Sequence, residues 1–134
     1  MNKLKAEIIH IESNAHMCLV DLAIGKDVLS ATLLETPEQV NYLKIGKQVT
    51  VLFKETEVSL AKDLTGLISL RNRLNATVNH IERGEILSAI SLDYQGHPLT
   101  SVITTRGMDR LKLKVGDVVE ALIKANEVVL THDL

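Results

Sequence analysis

Leu74, Ala76, Val78 and His80 alternate with Asn75, Thr77, Asn79 and Ile81, the two-residue period of a strand that buries one face. Residues 86–92 make a second apolar run and residues 99–104 a third, divided by the turn signal Gln95-Gly96-His97-Pro98. A short helix is predicted next, left through the turn Lys114-Val115-Gly116-Asp117. Two more strands follow, residues 118–124 and 127–131, joined by a tight turn at Ala125-Asn126.

The same pattern occurs earlier in the chain. A shift of 70 residues lays Gly46 on Gly116 and aligns the two halves without a gap. It pairs Asn2 with Asn72, Leu4 with Leu74, Ala6 with Ala76, and His10-Ile11-Glu12 with His80-Ile81-Glu82. It also pairs Leu43-Lys44 with Leu113-Lys114, Lys54 with Lys124, and Glu57-Val58 with Glu127-Val128. The chain therefore reads as a duplication, with domains at residues 1–64 and 67–134 and a join near Lys62-Asp63-Leu64-Thr65-Gly66. In the first copy a helix start is signalled by Thr36 as N-cap, Pro37 at the first helical position, and Glu38 and Gln39 in the first turn. Five strands with a helix between the third and fourth match the order of an OB-type barrel. The expected fold is all-β: two tandem OB-fold-like five-stranded barrels, each with a short helix. A domain of about 65 residues has a small core and is marginal alone, so an oligomer is expected.

Composition narrows the reading. Aromatic residues are only 2% of the 134, so the core must be aliphatic. A net charge of −2 argues against duplex nucleic acid, which needs a basic face. Cys18 is the single cysteine and offers neither an internal disulfide nor a thiolate cluster. No signal-peptide pattern and no apolar run of about 18 residues is present, so a cytoplasmic protein without a membrane span is expected.

Three separated elements of the second copy carry a resemblance. Ser69-Leu70-Arg71-Asn72 precedes its first strand, Ile103-Thr104 ends its third, and Leu111-Lys112-Leu113-Lys114-Val115-Gly116 leads into Ile123-Lys124-Ala125-Asn126-Glu127-Val128. In this order they resemble the Mop (molbindin-type, TOBE) domain over about residues 67–132 and, through the repeat, along the whole chain. The resemblance implies a molybdate-binding protein, also accepting tungstate, for intracellular storage and homeostasis of molybdenum. It implies a homotrimer or other homo-oligomer with oxyanions held at interfaces. The same domain serves as the sensor part of molybdate-responsive regulators, which is the alternative role. No phosphate-binding Gly-x-x-x-x-Gly-Lys-Ser/Thr loop is present.

Molybdate is a tetrahedral dianion whose oxygens only accept hydrogen bonds, so its site should supply donors alone. The resemblance assigns the hydroxyl of Ser69, the backbone or guanidinium of Arg71, the hydroxyl of Thr104, the ammonium of Lys124 and the backbone N–H of Ala125. Many family members have Ser where this chain has Gly107, whose N–H is the expected replacement. The first copy departs further. It begins at Met1-Asn2 without the Ser and Arg, has Leu34 in place of Thr104, and sets Glu55 where Ala125 stands. Only Lys54 persists, so this copy is expected to be a degenerate scaffold.

Other chemistry is thin. No nucleophile–base pair, carboxylate dyad or metal-ligand cluster emerges, so neither an enzyme nor a metal-ion site is expected. An OB-type nucleic-acid module is the remaining alternative, but it would need stacking aromatics in a basic groove. His10 and His80 read as strand-surface residues, His16, His97 and His132 as loop or strand-end residues, and Cys18 as a small core residue.

Overall fold

A computed structural model describes residues 1–132 of the chain. The first copy contributes β1 (Asn2–Ser13), β2 (Cys18–Ile24), β3 (Asp27–Leu33), β4 (Gln48–Phe53) and β5 (Ser59–Ala61). The second contributes β6 (Asn72–Glu82), β7 (Leu87–Tyr94), β8 (His97–Thr104), a helix α1 (Thr105–Leu111), β9 (Val118–Ile123) and β10 (Val129–Thr131). The strands form two five-stranded sheets, ordered β10-β4-β1-β2-β3 and β5-β9-β6-β7-β8. Each copy thus supplies four strands to one sheet and its short fifth strand to the other. Val129 pairs with Leu52, and Ser59 with Leu122, at equivalent places in the two sheets.

The alternation on β1 and β6 is as the pattern predicts up to one point. Leu4, Ala6 and Ile8 are buried, as are Leu74, Ala76 and Val78. The pairing then slips by one residue, between Ile8 and His10 in β1 and between Val78 and His80 in β6. These bulges turn His10 and His80 to the exposed face. Ile11 and Ile81 pack against the core instead. Each bulge is held by the glycine turn behind the strand. Gly46 N–H donates to the Ile8 carbonyl and Gly116 N–H to the Val78 carbonyl, both at 2.7 Å. Both glycines have the positive φ that L side chains rarely adopt, +91° and +97°.

The helix forms in the second copy only. Thr104 caps α1, its Oγ1 accepting from Gly107 N–H at 3.0 Å. In the first copy the expected helix after Thr36 is a single turn. Gln39 N–H donates to the Thr36 carbonyl at 2.9 Å, and the Gln39 side chain closes back on Thr36 N–H at 3.0 Å. Val40, Asn41 and Tyr42 follow, all weak helix formers, and so short a segment gives too few backbone bonds to offset nucleation.

One aliphatic core runs through both copies, from Leu4, Ile8, Leu22 and Leu29 to Leu74, Ile90, Leu92 and Leu99. Cys18 belongs to it, and its thiol donates to the Glu35 carbonyl at 3.1 Å. Burial, then the Glu35 and Glu38 carboxylates, raises that thiol's pKa, which makes it a poor nucleophile.

Polar bonds also cross between copies. The buried Tyr94 hydroxyl donates to Asp27 at 2.6 Å. The buried amide of Asn2 bonds both backbone groups of Thr100, and that of Asn72 both backbone groups of Ser30. No helix among the described residues is long and apolar enough to cross a membrane.

Candidate functional site

Four of the six residues expected at an oxyanion site converge on one cleft. It has a volume of about 350 Å³ and is lined by Ser69, Leu70, Arg71, Asn72, Lys124, Ala125 and Asn126 of the second copy, with Leu19, Ser30 and Thr32 of the first. The segment 69–71 runs along one wall into β6. Lys124 lines a second wall beside it, where β9, paired to β6 through Ile123 and Asn72, ends and a single helical turn, Ala125–Glu127, begins. Lys124 is extended in φ and ψ, and the chain turns only from Ala125 onward. The third wall is the outer edge of β3, held there by the Asn72–Ser30 bonds.

The lining is a donor set. Ser69 and Thr32 bring hydroxyls, Lys124 an ammonium, Arg71 a guanidinium and Asn126 an amide, and among the described residues no carboxylate lines the cleft. Ser69, Arg71 and Lys124 are all exposed, so the cleft lies open on one side. Just beyond it Glu127 has its pKa raised, by burial first and then by a hydrogen bond with Glu57, against the pull of Lys124.

Thr104 and Gly107 lie elsewhere. They line a separate cavity of about 550 Å³ with Arg110, Leu87 and the first copy's Thr56 and Ser59. Thr104 Oγ1 already accepts from Gly107 N–H. The Gly107 N–H is therefore engaged, while the Thr104 hydroxyl proton remains free to donate. The two cavities occupy related positions, one between β3 and the end of β9, the other between β8 and the end of β4.

At the first copy's counterpart of the cleft the donor set is incomplete. Glu55, at the Ala125 position, pairs with the Met1 amino group, which holds the Glu55 carboxyl below its usual range. Leu34, at the Thr104 position, is 84% exposed and brings no hydroxyl. The described residues contain no group of three or more His, Cys, Asp and Glu side chains placed to hold a metal ion.

Two contributions escaped the sequence reading. Asn72 was visible as a repeat position, but nothing in the pattern said that its amide holds β3. Thr32 gave no signal, because its equivalent in the second copy is Val102.

The TOBE domain family matches residues 1–60 and 68–130, and the chain belongs to that family. Over 84 residues it is 43% identical to the molybdenum import ATP-binding protein ModC of Brucella abortus (strain 2308), covering 62% of this chain and 23% of that protein. Over 108 residues it is 32% identical to the molybdenum transport protein ModE of Herbaspirillum seropedicae, covering 79% of this chain and 40% of that protein. The chain thus spans less than half the length of either relative. Its fold superposes on a crystal structure of the cytoplasmic molybdate-binding protein ModG with molybdate bound. The TM-score is 0.89 at 34% identity, covering 96% of this chain and 94% of that one.

Proposed function

We propose that this chain is a molybdate-binding protein of molybdenum storage and homeostasis, with tungstate as an alternative ligand. The observation that carries the reading is the carboxylate-free convergence of Ser69, Arg71, Lys124 and Ala125 on one cleft. Such a set suits a tetrahedral dianion, whose oxygens accept and never donate. The likeness to a molybdate-bound structure along nearly the whole chain supports the same ligand. Residues 67–134 form the binding copy, and residues 1–64 are the degenerate copy that provides the β3 wall. The chain acts as a binding protein rather than an enzyme, in the cytoplasm.

The open side of the cleft supports an oligomer, with a trimer as the proposed state. Burying a dianion costs several kcal/mol unless its oxygens are paired, and one chain leaves Ser69, Arg71 and Lys124 exposed. Thr104 and Gly107 line a different cavity of the same chain. A second copy brings its Thr104 face against the Lys124 cleft and completes the donor set. A sensor role within a larger regulator is the second reading, favoured by the alignment to part of ModE. Ser69→Ala combined with Lys124→Ala tests the site. Calorimetric affinity for molybdate should fall at least tenfold, and an unchanged affinity would remove these residues from it.

A further inference from the structure

A third cavity, also rich in hydrogen-bond donors, lies between the first copy's β1 and β4 and His97 of the second copy. It measures about 440 Å³ and is lined by Lys3, Leu4, Lys5, Thr50 and His97. Lys3 and Lys5 point outward from β1, on the face opposite buried Leu4. Thr50 stands across from Lys5 on β4. His97 opens β8, which the Asn2–Thr100 bonds tie to the start of β1. The cavity therefore offers two ammonium groups, a hydroxyl and an imidazole, and among the described residues no carboxylate lines it. Among the described residues neither lysine enters a salt bridge.

The duplication supplies an internal comparison. At the equivalent positions of the second copy stand Arg73, Asn75, Glu120 and, from the first copy, Asp27. There the cation is satisfied internally: Arg73 makes two bonds to Glu120, at 2.7 and 2.8 Å. Asp27 accepts from the Tyr94 hydroxyl. Around Lys3 both of those carboxylates are replaced, by Thr50 and His97, and a second cation is added. Lys3 and Lys5 lie two residues apart on one face of β1, where like charges repel, and among the described residues no carboxylate pairs with either lysine to supply the counter-charge. A bound anion would supply it, through charge-assisted hydrogen bonds.

We propose that this cavity is a second oxyanion site, taking a free tetrahedral dianion of the phosphate, sulfate and molybdate class through Lys3, Lys5, Thr50 and His97. It is independent of the cleft at Lys124. Its lysines are exposed, so binding there is weaker and falls as ionic strength rises.

The test uses the full chain carrying Ser69→Ala and Lys124→Ala, which silences the cleft. Inorganic phosphate, sulfate and molybdate are titrated into it calorimetrically at low salt. Saturable binding of at least one anion is expected, weakened at least tenfold by adding Lys3→Gln and Lys5→Gln and kept by Lys3→Arg with Lys5→Arg. Circular dichroism melts check that each variant is folded. Absence of saturable binding for all three anions, or binding that survives the glutamine pair, overturns the proposal. Neither result bears on the cleft, whose own test is the loss of molybdate binding on going from the unmodified chain to the Ser69→Ala, Lys124→Ala background.

Discussion

The side-chain amide of Asn72 replaces a strand for Ser30. Its Oδ1 accepts from Ser30 N–H at 2.7 Å and its Nδ2 donates to the Ser30 carbonyl at 2.8 Å. Asn2 repeats the arrangement on Thr100, both bonds at 2.8 Å. These reciprocal clamps hold the edge of each copy's third strand against the other copy. Losing the Asn72 amide leaves the buried backbone groups of Ser30 unpaired, at a cost of about 1–3 kcal/mol, whereas the Asn2–Thr100 bonds are only partly buried. Asn2→Ala and Asn72→Ala should therefore both lower the melting temperature, Asn72→Ala by more. Only Asn72→Ala should also weaken molybdate binding, because Ser30 and Thr32 form a wall of the cleft. Equal effects of the two variants on binding would contradict the clamp's role at the site.

Lys54 and Lys124 are repeat equivalents in unequal surroundings. Glu55 follows Lys54, whereas Ala125 follows Lys124. Lys124→Ala should weaken molybdate affinity tenfold or more, with Lys54→Ala within about twofold of the unmodified chain; a difference of 1.4 kcal/mol corresponds to about tenfold. Calorimetry of both variants decides it, and a comparable loss in Lys54→Ala would show the first copy binding as well.

Both tyrosines resist ionisation. Burial, then the bond to Glu35, pushes Tyr42 up to about 12, and burial with the bond to Asp27 pushes Tyr94 higher still. An unfolded tyrosine ionises near pH 10. The native state thus favours the neutral phenols. Their contribution to stability is complete below about pH 10 and is lost as pH rises through the raised native values. At about pH 11 the folded chain should show little tyrosinate absorbance, and denaturant should bring it out. Tyrosinate absorbance already complete before unfolding would refute this.

Glu127 behaves in the same sense on the acid side. Its raised pKa means that the folded state prefers the protonated carboxyl. The stability it confers is present below about pH 4, the range of an unfolded glutamate, and is lost as pH rises through the native value. Glu127→Gln should therefore raise the melting temperature at neutral pH and leave it unchanged near pH 4. Since Lys124 opposes the shift, removing the carboxylate should also tighten anion binding at neutral pH. Melts and titrations at the two pH values read out both effects.

Much of the fold was legible because the apolar period is regular and is written twice. The strand order, the glycine turns and the core residues Leu4, Ala6, Leu74 and Ala76 follow from it. The packing of Ile11 and Ile81 against the core did not, because a one-residue bulge reverses the faces without changing the pattern. The first copy's missing helix was hidden behind a good N-cap at Thr36, which promised more than Val40 and Asn41 could continue. Exchange of β5 and β10 was invisible, since a short apolar strand reads alike whichever sheet it joins. Of the residues named by motif, Ser69, Arg71, Lys124 and Ala125 line one cleft. Thr104 and Gly107 were grouped with them by family pattern, whereas on a single chain they line another cavity. Thr32 comes from the copy whose own motif has decayed, so no motif could reveal it.

The most direct measurement is a calorimetric titration of the unmodified chain with sodium molybdate, with sulfate as the control at the same ionic strength. Saturable molybdate binding, at least tenfold tighter than sulfate, is the predicted result. No heat with molybdate, or equal affinity for the two anions, would contradict the reading of the Lys124 cleft as a molybdate site.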